Sequence, residues 1–321
     1  MKQVEHLLGY RASIKVMDAT LRDGGLVNDF YFTDDFVKAL YKTNLEAGVD
    51  YMEMGYRASK KVFDETKFGK WKFCSDDHIR EIVGENDTDL ELAIMADIGR
   101  HDKNDFDEKV NSPVDMVRVA AYIHQMPEAI DMIEDAHKKG YETTCNIMAI
   151  SQTRESDLKV ALDMLGKTPV DTIYIVDSFG SIYPEEMKRI VDIYMEAATK
   201  YGKQLGVHAH NNQQLAFANT IEACGDGVNW LDATYKGMGR GAGNCAMELL
   251  LGFLKNPKYN TYPVFRFISD YMVKLEEDGV VWGYDLQYLM TGQFNQHPRA
   301  AIKFTKDKRK DYAEFYKELI V

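Results

Sequence analysis

Eight short runs of apolar and β-branched residues, most of them followed by an amphipathic helical stretch, constrain this 321-residue chain more than any other feature. The runs fall at 14–18, 51–56, 92–97, 116–122, 143–150, 172–177, 205–210 and 230–235. Most are continuously hydrophobic rather than alternating, as expected of strands buried on both faces. Helix signals lie between them. Thr33 stands as an N-cap before 34–46, which closes at Gly48; Pro184 sits in the first turn of a helix reaching about Lys200; 213–223 ends at Gly225. A further crossover helix is expected at 102–111. Eight unbroken β-α units predict a closed (β/α)8 TIM barrel, because right-handed crossovers repeated eight times close on themselves. Active-site residues then belong at the C-terminal ends of strands. Past residue 255 the alternation stops, and 262–277, 285–291 and 310–319 read as helices. The expected organisation is a barrel over 1–255 and a short helical C-terminal extension over 256–321.

Charge and cysteine content narrow the function. With 51 acidic against 39 basic residues the net charge is −12, which argues against a nucleic-acid groove or an anionic membrane surface. Cys74, Cys145, Cys224 and Cys245 are widely spaced with no C-x-x-C, a pattern of reduced thiols rather than a disulfide framework. The start of the chain has no apolar core of signal-peptide length, and nowhere do eighteen apolar residues run together. The expectation is a cytoplasmic protein without a membrane segment; a homodimer is compatible with the sequence, which does not decide it.

Three segments fall at strand ends that a barrel brings side by side, after strands 1, 7 and 8. In Val207-His208-Ala209-His210, strand geometry aims both imidazoles at one point. Asp18-Ala-Thr-Leu-Arg22-Asp23-Gly24 adds carboxylates and a guanidinium, and Gly237-Met-Gly239-Arg240-Gly241-Ala-Gly-Asn244 adds a glycine-rich loop ending in an amide. One carboxylate with two imidazoles, and an amide oxygen available from Asn244, suits a divalent ion with open positions for substrate. Mn2+ is the first expectation, with Mg2+ and Zn2+ as alternatives. The glycine loop also satisfies the permissive G-x-G-x-x-G/A pattern, but it follows the last strand of the set rather than the first, so dinucleotide binding is not expected. Its glycines instead let the backbone around Gly239, Arg240 and Gly241 approach a substrate carboxylate or phosphate.

Together, D-x-T-L-R-D-G, the H-x-H strand and G-x-G-x-G-x-G-N resemble the metal-dependent barrel superfamily of 4-hydroxy-2-oxovalerate aldolase, 3-hydroxy-3-methylglutaryl-CoA lyase and the 2-isopropylmalate and citramalate synthases. The likeness spans about residues 14–254. It implies Asp23, His208 and His210 as metal ligands, with Asn244 as a ligand or near neighbour. It implies Arg22 as the group that stabilises an enolate oxygen and Glu53 as the strand 2 acid that orients Arg22 or a bound water. Asp177-Ser178-Phe179-Gly180 is similar to a D-S/T-x-G element of the same superfamily, supporting the ligands. Asp18 and Cys245 read as structural, the first hydrogen-bonded within the barrel mouth, the second buried.

Departures from the pattern choose among the relatives. The aldolases of the superfamily place a histidine base three residues after the metal aspartate, and this chain has Leu26 there. The departure points to another base, a slipped loop that brings in Asn28 or Asp29, or a different substrate. The loop has no cysteine before Asn244, which disfavours the lyase acting on 3-hydroxy-3-methylglutaryl-CoA. About 65 residues follow the barrel, too few for the long extension of the synthases. Trp282-Gly-Tyr-Asp-Leu-Gln-Tyr288 resembles an aldolase segment whose tyrosine reaches the site, nominating Tyr288 as a proton donor or a substrate hydrogen bond; His297 is a weaker candidate that also reads as a cap. The expected activity is aldol-type cleavage of a 4-hydroxy-2-oxo acid to a 2-oxo acid, such as pyruvate, and an aldehyde. The alternatives are Claisen-type acyl transfer from acetyl-CoA to a 2-oxo acid and a non-catalytic metal-binding barrel.

Overall fold

The computed structural model describes residues 13–102 and 105–320. Eight parallel strands form one closed barrel in sequence order: β1 (Lys15–Asp18), β2 (Tyr51–Tyr56), β3 (Glu91–Asp97), β4 (Met116–Ala121), β5 (Glu142–Ile147), β6 (Thr172–Asp177), β7 (Gln204–Ala209) and β8 (Trp230–Ala233). Closure is made by β1 on β8, with Lys15 opposite Trp230 and Asp18 opposite Ala233. The continuous apolar runs are buried on both faces, as the pattern required.

Helices cover the outside. After β1 comes one short turn, α1 (Thr20–Gly24), and then α2 (Asp34–Ala47), whose Thr33 cap accepts from the Phe36 N–H at 3.2 Å. The others are α3 (Asp76–Val83), α4 (Met126–Lys138), α5 (Glu155–Gly166), α6 (Pro184–Tyr201), α7 (Ala216–Gly225) and α8 (Met247–Leu254). Several expected ends move inward. Strand 5 stops at Ile147 and strand 8 at Ala233, because left-handed Ala149 and a short 3-10 turn at Tyr235–Gly237 break the extended backbone.

The crossover helix expected at 102–111 is corrected: Lys103 and Asn104 lie outside the described residues, and the rest holds only a 3-10 turn at Lys109–Asn111. Asp and Asn side chains there compete for backbone groups, and Pro113 follows two residues later.

The extension holds α9 (Thr261–Phe267), a π turn at Ile268–Met272, α10 (Val273–Glu277), α11 (Leu286–Gln293), α12 (Arg299–Lys306) and α13 (Tyr312–Ile320). The helix at Arg299–Lys306 was not anticipated; it buries Ala301 and Phe304 against Phe315 and Leu319 of α13. Among the described residues no helix is long and apolar enough to cross a membrane. All four cysteines are buried and none is joined in a disulfide, and burial pushes the thiols of Cys74, Cys145 and Cys245 up to about 12.

Candidate active site

The short α1 turn exists to place two neighbours differently. Asp18, at the end of β1, is turned away from the barrel axis: it accepts from the Thr20 N–H and hydroxyl and from Asn44 Nδ2 at 2.8 Å. It is held by hydrogen bonds, but outside the barrel mouth expected from the sequence, because alternation along β1 turns Met17 inward and Asp18 toward α2. One turn later, Arg22 and Asp23 enter the mouth, both buried. Asp23, His208 and His210 each offer a ligand atom, all within 4.8 Å of one another. The two imidazole rings, 5.2 Å apart, stand nearly perpendicular.

Unsatisfied atoms test whether these residues fit a metal. His208 Nδ1 donates to Asp232 Oδ2 at 3.0 Å, which fixes the tautomer and leaves Nε2 as a bare lone pair, buried and without a partner. Asn244 Nδ2 donates to Asp23 Oδ2 at 2.6 Å, while its Oδ1 is likewise buried and unpartnered. Two orphaned acceptors facing a carboxylate are unfavourable unless a cation joins them. Burial pushes the His210 imidazole well below its ordinary value and so holds it neutral, the form that ligates. For Asp23 burial works the other way, but the Arg22 guanidinium beside it, with Arg240, outweighs burial and keeps the carboxyl below the usual range. The residues present fit a divalent ion.

Close approach of the glycine loop makes this possible. A Cβ at Gly239 would lie 2.1 Å from Asn244 Nδ2 and 2.5 Å from Asp23 Oδ2, so any side chain there would displace the site. The loop docks on the end of β7 through a bridge between His210 and Asn244. Three of its amides are taken up within the protein: those of Arg240, Gly243 and Asn244 reach Asp23, Arg240 and Gly237. Gly241, left-handed, allows the Tyr288 ring to lie against it.

Beneath the candidate ligands runs a chain of buried charges. Arg22 donates through Nη1 to Asp23 and through Nε to Glu53, both at 2.7 Å. Glu53 is also paired with Arg118 at 3.0 Å, and Arg118 donates to Asp232 Oδ2 at 2.7 Å, the oxygen that also holds His208. The series Asp23, Arg22, Glu53, Arg118, Asp232, His208 thus links one candidate ligand to another across the barrel. Arg118 and Asp232 escaped the reading of the sequence, although a charged residue inside the apolar runs Met116–Ala121 and Trp230–Ala233 was the available signal.

One small cavity, lined by Arg22, Asp23, His208 and His210, opens on this site. Leu26, Met95, Met148, Val176 and Phe179 supply apolar wall; Tyr122, Asn146, Ser178, Arg240 and His297 supply polar wall. Leu26 does occupy the place its position implied. Asn28 and Asp29 do not line the cavity; Asn28 donates to the Tyr31 carbonyl instead. Nor does the structure bring Tyr288 there, since α11 turns its ring toward α12 and α13, with the hydroxyl near Thr305. His297 reaches the wall and also caps α12 by accepting from the Arg299 N–H. Asp177 stays behind the wall, accepting from the Ser181 and Ile182 amides, while Ser178 lies in the wall and its Oγ accepts from the Ala149 N–H at 2.8 Å.

A closed parallel barrel whose mouth joins a carboxylate, two imidazoles and a buried arginine defines a lyase of the aldolase-like kind that forms or breaks carbon-carbon bonds. The chain belongs to the HMGL-like family, whose model matches residues 13–266. It is 29% identical over 244 residues to an oxaloacetate decarboxylase of Mycobacterium tuberculosis, covering 75% of this chain and 69% of that protein. It is 28% identical over 247 residues to a 4-hydroxy-2-oxovalerate aldolase of Thermus thermophilus, covering 76% of this chain and 70% of that one. Among solved structures, the N-terminal domain of a candidate aldolase from Bacteroides vulgatus superposes with a TM-score of 0.76 at 30% identity, covering 91% of this chain and 97% of that one.

Proposed function

We propose that this chain is a divalent-metal-dependent aldolase that cleaves a 4-hydroxy-2-oxo acid to a 2-oxo acid and an aldehyde, with Mn2+ as the ion and pyruvate as the 2-oxo acid. The observation that carries the reading is the meeting of Asp23, His208 and His210 within 4.8 Å, with Arg22 bonded to the same carboxylate. A divalent ion bound there supplies Lewis-acid stabilisation of an enolate. The remaining work falls to side chains. With Arg22 Nε and Nη1 held by Glu53 and Asp23, Nη2 is the donor left for a substrate oxygen, and the charge network keeps it in place as negative charge develops. The apolar wall excludes water from a carbanion that water would quench. Because Leu26 has no atom that can accept a proton, the hydroxyl proton of the substrate must pass to another group of the wall. The reading further treats residues 1–255 as the aldolase-like barrel and 256–321 as its extension, acting in the cytoplasm, with a homodimer as the assembly to test.

Proton exchange tests the chemistry without knowledge of the aldehyde. Metal-loaded protein should exchange the methyl protons of pyruvate with deuterated water, followed by NMR, and Arg22→Ala should slow exchange by about 100-fold or more. No exchange with pyruvate or larger 2-oxo acids, and an Arg22 variant like the parent, would overturn the reading. Thiol release from acetyl-CoA in place of aldehyde release would favour Claisen-type transfer.

A further inference from the structure

Two donors meet at the far wall of the cavity with no acceptor between them. Arg240 Nη1 lies 3.4 Å from His297 Nε2, while His297 Nδ1 accepts the Arg299 N–H at 3.1 Å. A neutral imidazole has one lone pair and one N–H, so it cannot accept at both nitrogens. The backbone N–H of Arg299 is fixed at the start of α12, which assigns the lone pair to Nδ1 and leaves the Nε2 proton facing a guanidinium.

Arg240 is otherwise poorly satisfied. Nη2 donates to the Ser178 carbonyl at 2.8 Å, Nε is buried without a partner, and no carboxylate among the described residues lies within ion-pair distance. A cationic side chain left in this way in a protein of net charge −12 is short of an anion only locally. Arg299 and Arg100 add positive potential around His297, whose imidazole burial and Arg240 push down to about 4. Phe179 packs edge-on against the same ring, 5.8 Å away, and holds its orientation.

We infer that Arg240 and His297 form a subsite for a carboxylate at the distal end of the substrate, so that the aldehyde half released or taken up is itself a carboxylic acid. This rests on the aldolase reading and specifies its substrate class. Arg22 and the candidate metal ligands already serve the 2-oxo acid end, and a second anion accounts for the donors that remain. A carboxylate placed against a guanidinium is stabilised as an anion, which opposes its departure as carbon dioxide; the subsite therefore anchors a spectator group rather than a leaving group. In the synthetic direction the methyl carbon of pyruvate loses a proton and bonds to the aldehyde carbon, whose oxygen gains a proton. The distal carboxylate is unchanged.

Calorimetry with a matched pair tests the subsite apart from turnover. 2-Oxoglutarate and 2-oxopentanoate have the same carbon chain and differ in a carboxylate against a methyl at C5. The parent protein should bind 2-oxoglutarate at least about 10-fold more tightly, the scale of a hydrogen bond to a charged group. Arg240→Met and His297→Phe should bring the ratio toward one, and His297→Gln, which keeps an N–H, should retain part of it. In aldol addition of pyruvate, glyoxylate should be preferred to acetaldehyde by a similar factor. Equal affinity for the pair, binding of neither, or a preference that survives both Arg240→Met and His297→Phe overturns the inference, and tighter binding of a phosphonate analogue overturns the assignment to a carboxylate. A dicarboxylate preference without pyruvate proton exchange would instead leave the subsite standing and remove the aldolase reading.

Discussion

Two layers inside the barrel differ by one pleat. Met17, Tyr51, Ala93, Met116, Tyr174, Val176 and Trp230 form a separate apolar cluster. Two residues further along the same strands, on the same face, Tyr51 gives way to Glu53, Met116 to Arg118 and Trp230 to Asp232. On β7 the same step runs from Gly206, whose missing side chain leaves room for the Tyr174 ring, to His208. In the lower layer Met17, Ala93, Met116 and Val176 contribute by filling volume, so the effect of removing one is local. In the upper layer each charge has two partners, so removal of one strands another in a buried place. The lower layer closes the barrel floor, and the upper layer aims the site.

The comparison can be broken most severely at the ligands themselves. His208→Ala with His210→Ala should abolish the single tightly held divalent ion expected per chain, measured by elemental analysis after reloading, while the apolar layer keeps the protein folded. Unchanged metal content would sink the site.

Arg118→Met and Met116→Ala then set the layers side by side, two residues apart on one strand. Loss of Arg118 leaves Glu53 and Asp232 without their shared cation and should destabilise by about 3–5 kcal/mol in urea unfolding, with metal affinity falling too. Met116→Ala should destabilise by about 2–5 kcal/mol through a cavity, with metal affinity unchanged. Similar losses of metal affinity in both variants would erase the distinction.

Asp232→Asn is a smaller and sharper change. His208 loses the carboxylate that fixes its tautomer, and metal affinity should weaken by about 10–100-fold; the metal-free protein should also lose stability, but less than Arg118→Met, because Arg118 keeps Glu53 as a partner. An unaltered affinity would show that Asp232 serves Arg118 alone.

The last effect is on pH dependence and is read as a slope rather than as a loss of affinity. Burial outweighs the backbone donors around Asp177 and raises its carboxyl to about 7, against about 3.9 for an exposed aspartate. Because the folded state binds this proton more tightly, the associated stability is fully present below about pH 4 and is lost as pH rises through 7. Asp18, raised to about 6 by burial, acts in the same sense. Unfolding of metal-free protein between pH 5 and 7 should therefore show a falling contribution that Asp177→Asn removes; an identical slope in the variant would exclude Asp177 as its source.

The barrel was legible in the sequence because burial on both faces writes itself into each strand separately, and because helix caps such as Thr33 and Gly48 are local signals. So was the Asp23, His208 and His210 cluster, since the ends of β1, β7 and β8 are adjacent in any eight-stranded closure. Other features depended on packing between distant segments. Tyr288 looked suited to the site by its neighbours in sequence, yet α11 packs it into the cluster around Phe304. His297 looked like a cap and is one, but the docking of α12 also sets it beside Arg240, 57 residues earlier. Arg118 and Asp232 are separated by 114 residues and mean little singly; only closure of the barrel brings their charges within hydrogen-bonding distance. Periodicity and capping are properties of short segments and survive in the sequence, whereas the pairing of buried charges and the direction of a side chain are decided by which surfaces meet.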